Sequence, residues 1–230
     1  ADEGTNDAAS IHAATATITA AADTLATVSL GGYEITKLVQ ISDTVKTMSI
    51  PAFETWIVNK LAEALARKVE DLIISGSGTS EPKGIDKANT WGADNSVSVT
   101  KTGTLSTQNV LDLIGLLNAG YDSNAKFLMS KRTLFTDFMP LQDKGKNDIV
   151  TMEGKNYYIF GYPVLISDYV TLHEAYLGDY RKVVGNMPES MSVKSAFDIN
   201  TNSYKYLGVC MFDCTPALGE AVVKLVKAST

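Results

Sequence analysis

The feature that most constrains this chain is a long helical periodicity between Ile50 and Ser75. Apolar side chains recur there almost every fourth residue, at Phe53, Ile57, Leu61, Leu65, Val69 and Leu72/Ile73. This spacing places them on one face of a helix. Pro51 suits the first turn, and Gly76 and Gly78 suit the end because glycine accepts the left-handed conformation that terminates helices. We therefore predict a helix over residues 51–75 that is roughly 37 Å long and spans a whole domain.

Strand patterns surround this helix. Residues 33–41 alternate apolar and polar side chains and predict a half-buried strand that leads to the helix. Residues 89–104 are polar and predict a linker or surface loop, residues 105–120 return to helical spacing, and residues 133–139 predict a small helix that stops at Pro140. The C-terminal segments MSVKSAF, YLGVCMF and EAVVKLV alternate and predict β-structure. Helices mixed with strands of antiparallel type predict an α+β fold.

The N-terminal residues 1–32 differ from the rest, because they are rich in Ala and Thr and contain no Lys or Arg. Residues 14–19 and 25–30 predict a short β-hairpin, although a disordered tail has a similar composition. An isolated hairpin is marginally stable in water. This one cannot bury its own large apolar side chains, so we predict that something outside this chain covers them. These candidate inter-subunit contacts are Ile18, Leu25, Val28 and Leu30.

Composition excludes several classes of protein. The net charge is −6 and the pI is near 5.0, so the chain offers no basic face with which to grip nucleic acid. No apolar run approaches the roughly 18 residues that cross a membrane. The start, ADEGTND, is acidic where a signal peptide is positive. Cys210 and Cys214 would lie roughly 13 Å apart on a strand, too far for a disulfide, and we expect two buried reduced thiols.

The sequence offers little chemistry for catalysis. Its two histidines are His12 and His173, and neither has a sequence context typical of a nucleophile. We expect His173 to be an exposed loop residue. Gly76-Ser77-Gly78 closes a helix, whereas phosphate loops open one. Isolated carboxylates without a histidine partner or metal-like clustering are Asp168, Asp179 and Asp213. We therefore predict no catalytic, cofactor or metal site, and no enzyme.

Read in order, these segments resemble the HK97-type major capsid proteins of tailed bacteriophages. The order is the predicted hairpin, an alternating strand, the long helix FETWIVNKLAEALARKVEDLIISGSGTSEPKGI, then NAKFLMSKRTLFTDFMPLQDKGK, NYYIFGYPVLISD and LGDYRK. The most specific pieces are Gly76-Ser77-Gly78-Thr79 followed by Pro82 and Gly84-Ile85, the Gly161-Tyr162-Pro163-Val164 turn, and Gly178-Asp179-Tyr180. The resemblance covers nearly the whole chain.

The resemblance implies an HK97-like coat fold in three parts. Residues 1–32 would be the E-loop, an extended hairpin that lies over a neighbouring subunit. Residues 33–100 and 186–214 would form the peripheral P-domain, with the spine helix at residues 51–75. Residues 101–185 and 215–230 would form the axial A-domain, which packs around five-fold and six-fold axes.

The function that the resemblance implies is a structural subunit of an icosahedral shell. Copies of the chain would form pentamers and hexamers in the host cytoplasm and enclose double-stranded DNA without reading its sequence. Phage portal, scaffold or protease proteins would be further partners. An encapsulin-like compartment that encloses a protein cargo is the alternative from the same fold, and an enzyme of unknown chemistry is the alternative from another class.

Two departures from the family pattern bear on this expectation. Members of the family carry an N-terminal arm before the E-loop, and this sequence opens at about the E-loop, so we expect the arm to be absent. Some members also form a covalent lysine–asparagine bond between subunits through an E-loop lysine. The first lysine here is Lys37, outside the predicted E-loop. We therefore expect no self-crosslinking and transfer no catalytic residue from the family.

Overall fold

A long helix packed against a three-stranded antiparallel sheet forms the first half of the structure. The computed structural model describes residues 28–48, 52–100, 103–141 and 149–227. Strand β1 (Tyr33–Ser42) leads through the short helix α1 (Asp43–Met48) to the long helix α2 (Ala52–Ser75). The sheet is completed late in the chain by β8 (Val183–Asp198) and β9 (Ser203–Pro216), in the order β1-β9-β8. The predicted strand over residues 33–41 and the predicted helix are thus confirmed in the described residues.

The apolar stripe of α2 holds this half together. Leu65 and Leu72 are buried with Cys210, Phe212 and Cys214 of β9. Nearer the start of the helix, Ile57 and Leu61 are buried with Tyr206 of the same strand. Gly208 lies between these groups, and a methyl group there would come within 3.2 Å of the Leu65 side chain. The helix and the sheet are therefore in close contact, and both cysteines are buried and free.

A seven-stranded mixed sheet forms the second half, in the order β2-β10-β7-β3-β6-β5-β4. Two helices, α3 (Thr107–Leu116) and α4 (Ala119–Asp122), precede its second strand in sequence. A helical segment through residues 131–141 follows that strand. The strands are β2 (Ser96–Val99), β3 (Lys126–Met129), β4 (Val150–Glu153), β5 (Asn156–Ile159), β6 (Tyr162–Ile166), β7 (Glu174–Gly178) and β10 (Val222–Lys227).

Both faces of the second sheet are covered. Alternate residues of β3 and β7, such as Phe127 and Leu177, face a core that α3 and the 131–141 segment complete. The residues between them, Leu128 and Tyr176, belong to a second cluster that includes Ile74 at the end of α2. The long helix therefore touches both sheets and joins the two halves of the structure.

Two predicted details are wrong. Residues 96–99 form β2, which pairs in parallel with β10, although residues 89–104 were expected to be a linker. SVSV alternates serine and valine over only four residues, so its strand depends on a distant partner rather than on its own pattern. Pro140 also does not stop the small helix, because it lies inside a final 3-10 turn at Met139–Leu141. The predicted hairpin over residues 14–30 lies outside the described residues except for residues 28–30, which form no strand.

The Gly76–Gly84 segment explains why the motif after the long helix needs its glycines. The N–H of Gly84 donates to the carbonyl of Gly76 at 2.9 Å, and the N–H of Gly78 donates to that of Pro82 at 3.1 Å. A methyl group on Gly84 would lie 2.5 Å from the backbone nitrogen of Gly76, and one on Gly76 would lie 2.3 Å from the carbonyl oxygen of Pro82. The backbone at Gly76 and the backbone at Pro82–Gly84 lie so close together that neither glycine position has room for a side chain.

We expect Leu61→Asp to unfold the protein or to destabilise it by at least about 4 kcal/mol, because it places an unpaired charge in the contact between α2 and β9. Urea and thermal unfolding measure the change. Asn59→Asp, on an exposed position of the same helix, is the control and should change stability little. Equal stability of the two variants would contradict the buried position of Leu61.

We expect Gly84→Ala to destabilise the protein by about 2 kcal/mol or more, because the new methyl group collides with backbone atoms that cannot move independently. Gly92→Ala is the matched control, since nothing lies within 4 Å of a methyl group at that position. Chemical denaturation of both variants tests the difference, and a similar loss in both would contradict the close approach.

Candidate functional site

The described residues contain no group of His, Cys, Asp and Glu side chains that could hold a metal ion. Among these residues, no helix is both long enough and apolar enough to cross a membrane. What they do contain is two clusters of paired charges beside the seven-stranded sheet and several open apolar surfaces.

The first cluster joins Asp137, His173 and Lys227. Asp137 is 2% exposed and lies 2.6 Å from Nδ1 of His173 and 3.0 Å from Nζ of Lys227. The expectation that His173 is an exposed loop residue is therefore wrong. It lies in a loop at φ +67°, but its side chain is only 20% exposed and paired with a carboxylate. The sequence could not indicate this pair, because its members come from separate elements.

The arrangement of this cluster is typical of a structural tie. The N–H of His173 donates to Oγ1 of Thr133, and the N–H of Lys227 donates to the carbonyl of His173. Side chains and backbone thus fasten the 131–141 segment to the last strand of the sheet. Within the described part of the chain, the hydrogen-bond partner of the imidazole is Asp137, so no activated hydroxyl or thiol accompanies it.

The second cluster surrounds Lys224 of β10, whose side chain is 7% exposed. Its Nζ lies 2.7 Å from Asp86 and 3.1 Å from Glu174. The phenol of Tyr176 donates to the same Asp86 carboxylate, and the Trp91 ring centroid lies 5.7 Å from the ammonium. The ammonium therefore ties β10 and β7 to the segment that follows the Gly76–Gly84 turn.

The pKa shifts in the second cluster follow from burial and pairing. Burial raises the pKa of Asp86, but hydrogen bonds from Lys224, Lys87 and Tyr176 outweigh burial and lower it to about 2. Burial, together with the neighbouring Glu174 and Asp86 carboxylates, raises the pKa of Tyr176. At neutral pH the Asp86 carboxylate is therefore ionised and the Tyr176 phenol is protonated. The phenol donates a hydrogen bond that stabilises the negative charge of the carboxylate.

The three carboxylates that the sequence showed without a histidine partner, Asp168, Asp179 and Asp213, lie in different parts of the structure. Asp179 is buried and accepts hydrogen bonds from the Arg181 guanidinium, which lowers its pKa. Asp213 accepts the backbone N–H of Gly31 at 2.6 Å. Asp168 lines a cleft of about 400 Å³ beside Arg67. The structure does not bring these three carboxylates together.

The candidate inter-subunit residues lie at the point where the N-terminal segment joins the body. Ile18 and Leu25 are outside the described residues. Val28 is 40% exposed and Leu30 is half-buried. Both line an open cleft of about 300 Å³ whose other walls include Gly78, Lys83 and Asp213. Neither residue belongs to a core cluster of the described structure.

A second open surface is a groove between β1 and α2, which we call the β1–α2 groove. Its floor and walls have little polar surface, and its volume is about 210 Å³. Trp56 forms one wall, is 55% exposed and stacks on Phe53 with ring centroids 5.8 Å apart. The lining residues are Lys37, Val39, Trp56, Ile57, Lys60, Leu61 and Ala64. Trp56 stands off the apolar stripe of the helix, and a large aromatic side chain at such a position is a signal that the sequence alone could have provided.

The outer strand of the first sheet is a third open surface. Among the described strands, β8 pairs with β9 alone, and most of its side chains are exposed. Large apolar residues on or next to it that stay exposed are Val184, Met187, Met191, Phe197 and Ile199. A long strand with one free edge and exposed apolar side chains is typical of a surface that another chain covers.

Replacement of Lys224 tests the second cluster. The pKa of Asp86 is lower in the folded protein than the ordinary 3.8, so its stabilising contribution is complete above about pH 4 and is lost as the pH falls toward about 2. We expect Lys224→Met to destabilise the protein by about 3 kcal/mol near pH 7, because the carboxylates lose their buried partner. We also expect the loss of stability between pH 4 and pH 2 to be smaller in the variant.

Denaturant unfolding measured across this pH range checks both effects. Lys68→Met, which breaks an exposed pair with Asp71, is the control and should differ little from the unmodified protein. An unchanged pH dependence in Lys224→Met would contradict the role of the lysine.

Comparison with known proteins places the whole chain in one group. A family model described as the phage capsid family matches residues 1–227. No curated protein matches the sequence.

Solved structures with the same architecture are numerous. The capsid of a native GTA particle superposes with a TM-score of 0.77 at 20% identity, over 100% of this chain and 82% of that chain. The structure titled Gordonia phage Cozz gives a TM-score of 0.70 at 15% identity, over 99% and 80%. The holo-SrpI encapsulin complex from Synechococcus elongatus PCC 7942 gives 0.63 at 17% identity, over 85% and 73%. At such identities the likeness establishes the fold, and it confirms the predicted α+β coat fold of HK97 type.

Proposed function

Because this chain belongs to the phage capsid family, we propose that copies of it form the pentamers and hexamers of a closed icosahedral shell around double-stranded DNA. Membership of the family makes the chain a structural subunit of a capsid, located in the virion and associating with copies of itself. The match of one capsid family model to residues 1–227 carries this conclusion. The icosahedral shape of the shell and the enclosed DNA are the parts that we propose beyond family membership.

The open surfaces of the body support self-association. The cleft beside Val28, the β1–α2 groove and the outer strand β8 all expose apolar side chains. Both halves of the body already have buried cores, and side chains such as Val28, Trp56 and Met187 remain exposed outside them. Copies of the chain would cover them and remove their apolar area from water.

A three-part division follows from the proposed role. We place the peripheral domain at residues 33–100 and 186–214, around α2 and the three-stranded sheet, and the axial domain at residues 101–185 and 215–230. Residues 1–32 would be the extended arm that reaches a neighbour, with Ile18, Leu25, Val28 and Leu30 as its contacts. Strand β2 belongs to the first range in sequence but pairs with β10 of the second, so the two parts share a strand at their border.

The charge of the protein fits an enclosed genome. A net charge of −6 repels a polyanion and keeps DNA from adhering to the inner wall, so enclosure needs no sequence-specific contact. Portal, scaffold and protease proteins of the same phage would be further partners, and assembly would take place in the host cytoplasm.

The likeness to an encapsulin complex supports one alternative, a shell that encloses a protein cargo. Particles purified from cells separate the two. Nuclease-protected DNA inside the particles supports the genome shell, whereas an enclosed protein without DNA would overturn it in favour of the alternative.

We expect deletion of residues 1–30 to leave a folded body but to prevent closed particles. The reason is that Val28 and Leu30 line an open cleft and take no part in the described cores. Circular dichroism measures folding, and electron microscopy with size-exclusion chromatography measures assembly.

A milder variant separates the apolar contacts from the backbone. Ile18→Ser combined with Leu25→Ser should impair assembly in the same way, while Ala14→Ser combined with Ala21→Ser is a matched control that should assemble normally. Closed particles from the truncated chain would contradict the proposed role of residues 1–32.

A further inference from the structure

The outer strand β8 is protected against edge pairing in only one of its two halves. Proteins blunt a free strand edge with proline, bulges or charges, because its unpaired N–H and C=O groups would otherwise bind another strand. Pro188 lies in the first half of β8, and the pairing with β9 is irregular between Asn186 and Ser192. From Ser192 to Asp198 the register is unbroken and the sequence contains no proline. The second half therefore presents a regular strand edge.

Apolar side chains gather at this unprotected edge. Phe197 is 45% exposed, although its ring packs on Tyr204 of β9 with centroids 5.0 Å apart. Ile199, in the turn that follows the strand, is 84% exposed. Val193 lies on the same face of β8 as Phe197 and is only partly buried, against the cluster that contains Tyr206. A strand added at this edge would cover their apolar area.

The charged side chains of the same stretch complement each other. Lys194 is exposed and forms no ion pair among the described residues. Asp198 pairs with Lys205 and accepts the backbone N–H of Asn200, but a carboxylate has about four acceptor positions. It can therefore also accept a lysine from outside. Because two identical antiparallel strands are related by a two-fold axis, a lysine and an aspartate on one strand can each meet their counterpart on the other.

The positions of the two charges select one register. With Ala196 opposite its own copy, Lys194 lies opposite Asp198 of the other strand, and this pair occurs twice. Phe197 is then diagonal to Val193 of the other copy, within reach of an aromatic side chain. Moving the axis by one residue in either direction places Lys194 or Asp198 diagonal to its own copy and brings like charges together. The register centred on Ala196 is therefore favoured.

We propose that residues 192–198 of one subunit pair antiparallel with the same residues of a second copy, with Ala196 on the two-fold axis. The contact joins two three-stranded sheets into one sheet of six strands. Two Lys194–Asp198 ion pairs lie on one face of the junction, and the apolar side chains lie on the other. This inference rests on the proposed function, because an icosahedral shell contains two-fold axes at which subunits meet.

A single cysteine tests the contact and its register. Residues opposite each other on antiparallel strands have Cα atoms about 4.5–5.5 Å apart, which suits a disulfide. We expect Ala196→Cys in the full chain to give disulfide-linked dimers when assembled particles are oxidised mildly and run on non-reducing gels. Asn200→Cys, also exposed, is the matched control, because its two copies would lie more than about 20 Å apart. Cys210 and Cys214 are buried, and the unmodified protein gives their background.

The other outcomes separate the inference from the proposed function. Closed particles of Ala196→Cys without linked dimers would overturn the strand pairing and leave the capsid role intact. Equal linkage in Asn200→Cys would also overturn it, because that result would show random collision at the surface. A chain that stays monomeric at high concentration would overturn the proposed function together with the inference.

Charge reversal gives an independent measurement. Lys194→Glu places a carboxylate opposite Asp198 at both ion pairs. Changing two cross-strand pairs from attraction to repulsion weakens association by about 10-fold, so we expect the concentration needed for assembly to rise by about that factor. Lys131→Glu, the same charge change at an exposed position in the other half, should leave it unchanged. Thermal unfolding of both variants should match that of the unmodified protein, and equal assembly of the two would overturn the proposed register.

Discussion

The contact between the apolar stripe of α2 and strand β9 is the interaction on which the rest of the structure depends. Leu65 and Leu72 meet Cys210, Phe212 and Cys214, with Gly208 allowing the helix to approach. Because β9 is the central strand of its sheet, covering it with one helix protects one face and positions both neighbours. The end of the same helix enters the core of the second sheet through Ile74, so one rod orients both halves.

This arrangement leaves surfaces that the described residues do not cover. A single helix shields one face of a three-stranded sheet, and the edge along β8 and the groove beside Trp56 stay open. The paired charges around Lys224 and Asp137 lie in the second half, where they hold strands and loops in register. Buried cores with paired charges, combined with exposed apolar surfaces, suit a subunit whose apolar surfaces are covered by neighbouring subunits.

Sequence patterns predicted those elements whose signal lies in consecutive residues. The stripe of α2, the alternation of β1 and the glycines after the helix all depend on neighbouring residues, so spacing predicts them. Strand β2 was missed because the alternation in SVSV covers only four residues of a polar region, and the strand depends on its pairing with β10. The pair of His173 with Asp137 was missed because it joins residues that are distant in sequence. Of the predicted contact residues, Val28 and Leu30 lie at an open cleft, and their contact with another subunit remains a prediction.

By itself, the sequence determined that a domain-length amphipathic helix must find an apolar sheet, that the chain is acidic, and that its order of segments resembles a capsid subunit. These properties follow from periodicity and composition, which are written in consecutive residues. Only the tertiary structure decided which strand covers the helix, where the buried charges find partners, and that an apolar groove opens between β1 and α2. Those outcomes depend on pairing between strands that are far apart in the chain, and a pattern of consecutive residues does not show which distant strand will be the partner.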